Sequence, residues 1–127
     1  MAAEKLGLPT SPPYLKDVNQ NFPKGLSFAS GGAGIFNTTN DGQLERAIAL
    51  TRQVEMFATV VQNMGKQQNA SDVQKYLSKS LFVIVIGSND LFGYFGSESK
   101  IAKTTPQQYI DMMISTFQVQ LKVIMIV

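Results

Sequence analysis

Six apolar residues in a row, Leu81-Phe82-Val83-Ile84-Val85-Ile86, end abruptly at Gly87-Ser88-Asn89-Asp90. No other stretch restricts the fold as much. A β-branched and aromatic run that is apolar on both faces fits the middle of a parallel sheet covered by helices. The four residues that follow favour a loop. A shorter strand is expected at Leu26-Ser27-Phe28-Ala29, leading directly into Ser30-Gly31-Gly32-Ala33-Gly34. In that loop the backbone can adopt positive φ or approach a ligand closely.

The rest of the chain reads mainly as helix. Ala47, Leu50, Val54, Phe57, Val61 and Met64 recur at spacings of three and four, which predicts an amphipathic helix over about residues 41–64. Asn40 is its expected N-cap, with Gln43 three residues on, and Gly65 its expected C′ residue. A second, shorter helix is expected to start at Ser71 as N-cap, with Gln74 completing a capping box and Val73 and Leu77 turned inward. A third begins with Thr105 as N-cap, Pro106 at the first helical position and Gln108 closing the box. Its expected buried stripe is Ile110, Met113, Ile114, Phe117 and Leu121. Residues 1–25 hold four of the five prolines and read as an extended connecting segment, with a short helical turn near residues 3–6. Residues 26–127 then run strand, helix, helix, strand, loop, helix, an alternation that predicts an α/β layered fold with a parallel sheet.

Composition narrows the chemistry. With 127 residues, 44% of them hydrophobic and 16% charged, the chain suits one packed domain or part of one. A formal charge of +2 without a Lys/Arg cluster does not call for a nucleic-acid partner. The longest apolar runs, residues 81–86 and 123–127, are far too short to span a bilayer. Residues 1–9 lack the basic start and apolar core of a signal peptide. The absence of cysteine removes disulfides, thiolate nucleophiles and Cys-based metal sites. The absence of histidine removes the commonest catalytic base and metal ligand. No cofactor or metal is implied.

In open α/β sheets, sites form at the carboxyl ends of strands. Two loops are expected there, residues 30–34 and residues 87–90. Backbone N–H groups from a Gly-rich turn, joined by an Asn side-chain N–H, make an oxyanion hole suited to acyl transfer. Other readings of the same residues lack their context. The Gly31-Gly32-Ala33-Gly34 spacing misses the dinucleotide fingerprint. Gly25-Leu26-Ser27-Phe28-Ala29 falls one residue short of a Gly-x-Ser-x-Gly elbow, and Ser97-Glu98-Ser99-Lys100 mimics Ser-x-x-Lys outside the setting that chemistry needs. Asn37-Thr38-Thr39 and Asn69-Ala70-Ser71 are glycosylation sequons, which count only in a secreted chain.

The segment Gly25-Leu26-Ser27-Phe28-Ala29-Ser30-Gly31-Gly32-Ala33-Gly34 closely resembles the second sequence block of plant-type GDSL esterase/lipases, of the SGNH hydrolase superfamily. Gly87-Ser88-Asn89-Asp90 resembles their third block. Ala3-Glu4-Lys5-Leu6-Gly7-Leu8-Pro9, Pro12-Pro13-Tyr14-Leu15, Leu77-Ser78-Lys79-Ser80-Leu81-Phe82, Thr105-Pro106-Gln107-Gln108-Tyr109 and Ile114-Ser115-Thr116 extend the likeness to about residues 3–122. The resemblance implies a three-layer α/β/α, flavodoxin-like sandwich with strand order 2-1-3-4-5. It implies Gly32 as the oxyanion-hole glycine, with Gly31 and Gly34 as near alternatives, and Asn89 as the side-chain donor to the same oxyanion. It also implies an ester substrate such as a lipid or an acylated cell-wall component, and an extracellular location.

The departures are equally informative. Neither a Gly-Asp-Ser-Leu tetrapeptide nor an Asp-x-x-His block occurs, so nucleophile and base are both missing from the chain. Ser27 stands where the family usually has Asn. The tail Val123-Ile124-Met125-Ile126-Val127 replaces the family's Gly-Ala-Arg continuation. The expectation is a partial hydrolase domain holding the second and third strands and lacking the first and the later ones. It should be inactive alone and weakly or non-cooperatively folded. The alternative is a non-catalytic product that binds ligands or interferes with a full-length relative. Oligomeric state is not legible from these residues.

Overall fold

Among the residues that the computed structural model describes, namely 5, 7, 9–16, 25–39 and 47–126, every regular element is helical. A 3-10 turn at Tyr14–Lys16 precedes five α-helices: α1 (Leu50–Gln67), α2 (Ala70–Leu77), α3 (Ser88–Phe95), α4 (Glu98–Lys103) and α5 (Pro106–Ile126). α1 buries Leu50, Val54, Val61 and Met64, four of the residues whose spacing marks its inner face, with Phe57 half-buried on the same side. α2 turns Val73 onto Val61 and Met64, and Phe57, Val60, Tyr76 and Leu77 close around that cluster. A second cluster joins Ile35 to Tyr94 of α3 and to Tyr109 and Met113 of α5. There the Tyr94 and Tyr109 rings stack with centroids 4.5 Å apart, a separation at which aromatic pairs add to simple area burial.

Several helix ends differ from the sequence expectation. α1 starts at Leu50 rather than near residue 41, so Ala47 lies outside it, and the cap expected at Asn40 with Gln43 falls outside the described residues. Gly65 lies within α1, which continues to Gln67 and closes on Gln68. Asn69, not Ser71, caps α2: its side-chain oxygen accepts the Asp72 N–H at 2.9 Å. Both residues are good N-caps, and the earlier one starts the helix two residues sooner. α5 forms as its cap predicts. The Thr105 hydroxyl accepts the Gln108 N–H at 3.3 Å, and the Gln108 side chain accepts the Thr105 N–H at 2.9 Å. Its buried face is narrower than the expected stripe, however. Only Tyr109 and Met113 are buried, and Ile110 and Ile114 face outward. Periodicity marks an apolar side, but only an opposing element can bury it.

The expected strands are the main correction. Neither residues 26–29 nor residues 81–86 enter a β-ladder among the described residues, and the parallel sheet of a three-layer sandwich is not formed there. Ser27 makes one isolated parallel bridge to Pro13, with Ser27 N–H donating to Pro12 O and Tyr14 N–H donating to Ser27 O, both at 2.9 Å. Residues 81–86 run without helix, turn or bend, and Val85 is 93% exposed. A strand needs a neighbouring backbone to complete its hydrogen bonds. Propensity straightens the run, and no backbone pairs with it among the described residues. The loop expected at residues 87–90 is also revised, because Ser88, Asn89 and Asp90 form the first turn of α3.

Candidate functional site

The glycine loop is shaped by short-range bonds. Ala33 N–H donates to Ser30 O at 3.1 Å, closing a turn whose third residue, Gly32, has φ of 79°. A type II turn needs positive φ at that position, which only a residue without Cβ adopts at no cost. The Ser30 hydroxyl accepts the Ile48 N–H at 2.9 Å, anchoring the loop to the segment before α1. Gly34 is required for a different reason: a Cβ there would overlap the Thr39 side chain.

α3 delivers the second set of groups. Gly87 precedes it with φ of 113°, and a Cβ there would lie 3.3 Å from Met113 Cε and 3.5 Å from Ile35 Cδ1. The chain therefore turns sharply from the straight run into the helix, placing Asn89 and Asp90 in the first turn. Asn89 Nδ2 donates to Ala33 O at 2.8 Å, 56 positions away in sequence. The glycine loop and Asn89 thus meet directly. An amide group carries two N–H bonds, and this contact engages one of them. Gly32 does not line the cleft that opens beside Asn89, whereas its neighbours Ser30 and Ala33 do.

Asp90 is the residue that sequence reasoning missed. It is 1% exposed. Its carboxylate accepts Ile35 N–H at 2.9 Å, Phe36 N–H at 3.1 Å and the Thr39 hydroxyl. Its own carbonyl accepts the Tyr109 hydroxyl at 3.3 Å. A buried carboxylate is tolerated only when such donors surround it, and here they come from the glycine-loop segment. Asp90 therefore ties residues 35–39 to α3, while Asn89 ties Ala33 to the same helix. Burial pushes the Tyr109 hydroxyl pKa up, and the nearby Asp90 charge adds to the effect. The only signal in the sequence was an acid standing between apolar Ile86 and Leu91-Phe92.

Among the described residues, neither serine considered as a stand-in nucleophile acquires a base. Ser97 Oγ lies 3.1 Å from Ser99 Oγ, and its link to Lys100 is backbone to backbone. Ser27 is held through its main chain. Among the described residues, no group of His, Cys, Asp or Glu is placed to hold a metal ion, and no helix is long and apolar enough to cross a membrane.

The family model described as GDSL-like lipase/acylhydrolase matches residues 1–122. The chain belongs to that family. A GDSL esterase/lipase of Arabidopsis thaliana is 45% identical over 128 residues, covering 94% of this chain and 34% of the relative. GDSL esterase/lipase 7 of the same plant is 32% identical, with the same coverage of both chains. The chain thus spans about a third of the length of the curated relatives it matches. No solved structure matches it. Within the GDSL family segment, hydrogen bonds link the loop around Gly32 to the Asn89-Asp90 pair across 56 and 55 positions.

Proposed function

We propose that this chain carries the oxyanion-binding half of a carboxylic-ester hydrolase site, with the Gly32 backbone N–H and the Asn89 side-chain amide as donors. The observation that supports the reading is the 2.8 Å bond from the Asn89 side-chain amide to the Ala33 carbonyl, which joins Asn89 to the residue that follows Gly32. Asn89 also sits in the first turn of α3, where unpaired N–H groups and the helix dipole favour developing negative charge. The relatives, named as esterase/lipases, supply the substrate class. Turnover needs an activated nucleophile and a base, and a chain without histidine lacks the usual base. Loss of either costs about six orders of magnitude in turnover. This chain alone should therefore hydrolyse a p-nitrophenyl acyl ester no faster than buffer.

The donor role is tested in a chimera that carries residues 1–122 in place of the matching segment of the 45% identical Arabidopsis relative. The chimera should hydrolyse p-nitrophenyl esters. Asn89→Ala within it should lower kcat by about 10²–10³ with little change in KM, the size of losing one oxyanion-hole donor. An active chimera whose kcat ignores Asn89→Ala overturns the assignment, and so does an inactive but folded chimera.

A further inference from the structure

Two Asn-x-Ser/Thr triplets stand apart from the site described above, and the fold treats them differently. Asn69-Ala70-Ser71 lies where α1 gives way to α2. Residues 65–72 are exposed without interruption, and Val73 is the one buried residue of α2. Those eight exposed positions carry no apolar side chain larger than alanine. The Asn69 side chain uses its oxygen to accept the Asp72 N–H at 2.9 Å. The cap engages that oxygen alone, and the side-chain nitrogen makes no hydrogen bond among the described residues. The Ser71 hydroxyl, two positions on, is exposed as well.

Asn37-Thr38-Thr39 is held instead. Asn37 is exposed, but the Thr39 hydroxyl donates to the buried Asp90 carboxylate. The Thr39 N–H donates to Phe36 O at 3.2 Å, which closes a turn around Asn37. The Thr39 side chain also occupies the space that a Cβ on Gly34 would need. N-linked glycosylation uses the carboxamide of the first residue and requires the hydroxyl of the third. One triplet offers both groups, and the other has its hydroxyl committed elsewhere.

We propose that Asn69 is an N-glycosylation acceptor and that the folded chain withholds Asn37. The donor is an oligosaccharide carried on a polyprenyl diphosphate. Asn69 Nδ2 attacks C1 of the first sugar, and a C–N bond forms as the C–O bond to the diphosphate breaks. The diphosphate leaves with the bonding pair, and one amide proton passes to a base of the transferase. The product keeps Oδ1 as a carbonyl acceptor, so the modified side chain retains the group that caps α2. A bulky, solubilising glycan suits a polar corner with no apolar neighbour to displace. The inference applies to the chain on a secretory route, the location that the family resemblance implies, and it does not depend on ester hydrolysis.

The test incubates the purified chain with a single-subunit oligosaccharyltransferase and a synthetic polyprenyl-diphosphate oligosaccharide, and maps the products by peptide mass spectrometry. Two synthetic peptides, spanning residues 35–41 and 67–73, give the rate at each triplet without the fold. Asn69 in the chain should react within about a few-fold of its peptide, because the exposed first turn of an eight-residue helix opens at little cost. Asn37 should react about tenfold or more slower than its own peptide, the cost of first breaking the Thr39 bond to a charged acceptor. Ser71→Ala should abolish transfer to Asn69 without changing Asn37. Asp90→Ala, which releases Thr39, should raise Asn37 toward its peptide rate. No transfer to Asn69 in the chain overturns the proposal, whether or not its peptide is modified. Transfer to Asn37 at the rate of its peptide also overturns it, and so does modification of Asn69 that persists in Ser71→Ala.

Discussion

Asp90→Asn replaces one carboxylate oxygen with an amide nitrogen and leaves the shape unchanged. In the native chain one oxygen serves Ile35 N–H, and the other serves Phe36 N–H and the Thr39 hydroxyl. The best orientation of the new amide keeps its oxygen toward Phe36 and Thr39, which turns its NH₂ toward the Ile35 N–H. A donor then meets a donor at a fully buried position. The loss is one charge-assisted hydrogen bond, with a buried N–H left unsatisfied, at about 1.5–3 kcal/mol. That corresponds to a rise of roughly ten- to 150-fold in the local opening constant. Asp90→Ala removes the acceptor for Phe36 as well and should open the segment further. Native-state amide exchange followed by NMR reads these changes without requiring a cooperative melt. Protection at Ile35 should fall in Asp90→Asn while Phe36 is largely spared, and both should fall in Asp90→Ala. Equal exchange at Ile35 in wild type and Asp90→Asn would refute the reasoning, because it would mean that this carboxylate does not hold the glycine-loop segment.

Two further outcomes follow from the same region. Gly87→Ala forces a Cβ into backbone with φ of 113° and to within 3.3 Å of Met113 Cε, at a cost of about 1–3 kcal/mol of strain. It should loosen α3 from α5 in amide exchange, and unchanged protection at Tyr94 and Met113 would contradict this. Tyr109 has a pKa raised above its ordinary 10.0, by burial first and by the Asp90 charge second. The folded chain therefore holds the proton more tightly than the unfolded one. The associated stability is complete below about pH 10 and is lost as pH rises toward and through the raised value. Tyr109 should therefore ionise above the ordinary tyrosine value in a titration followed by NMR, and Asp90→Asn should bring it back toward that value. Ionisation of Tyr109 at the ordinary value in the folded chain would refute the shift.

Legibility followed range. The inner face of α1 and the capping box of α5 depend on residues three or four apart, so period and cap chemistry predicted them from local order alone. The cap of α2 was placed two residues late because Asn69 and Ser71 are both competent, and only the built turn distinguishes them. The two loops, around Gly32 and at Asn89, were recognisable as blocks, and the structure brings them into contact. Asp90 was passed over because its donors lie 51 to 55 positions upstream, and no local pattern announces so distant a partner. The expected strands illustrate the opposite error. Propensity favoured them, but strand formation is a property of a pair of backbones.

The sequence by itself determined that α1, α2 and α5 would form, that the loop around Gly32 called for glycine, and that no histidine would be present to act as a base. Each of these depends on residue identity and short-range geometry. Tertiary structure alone decided that Asp90 would be buried, that α5 would bury only its Tyr109 and Met113, and that residues 81–86 would run straight without a ladder among the described residues. Those outcomes depend on which distant surface arrives opposite each group, because burial and backbone pairing are completed only between partners.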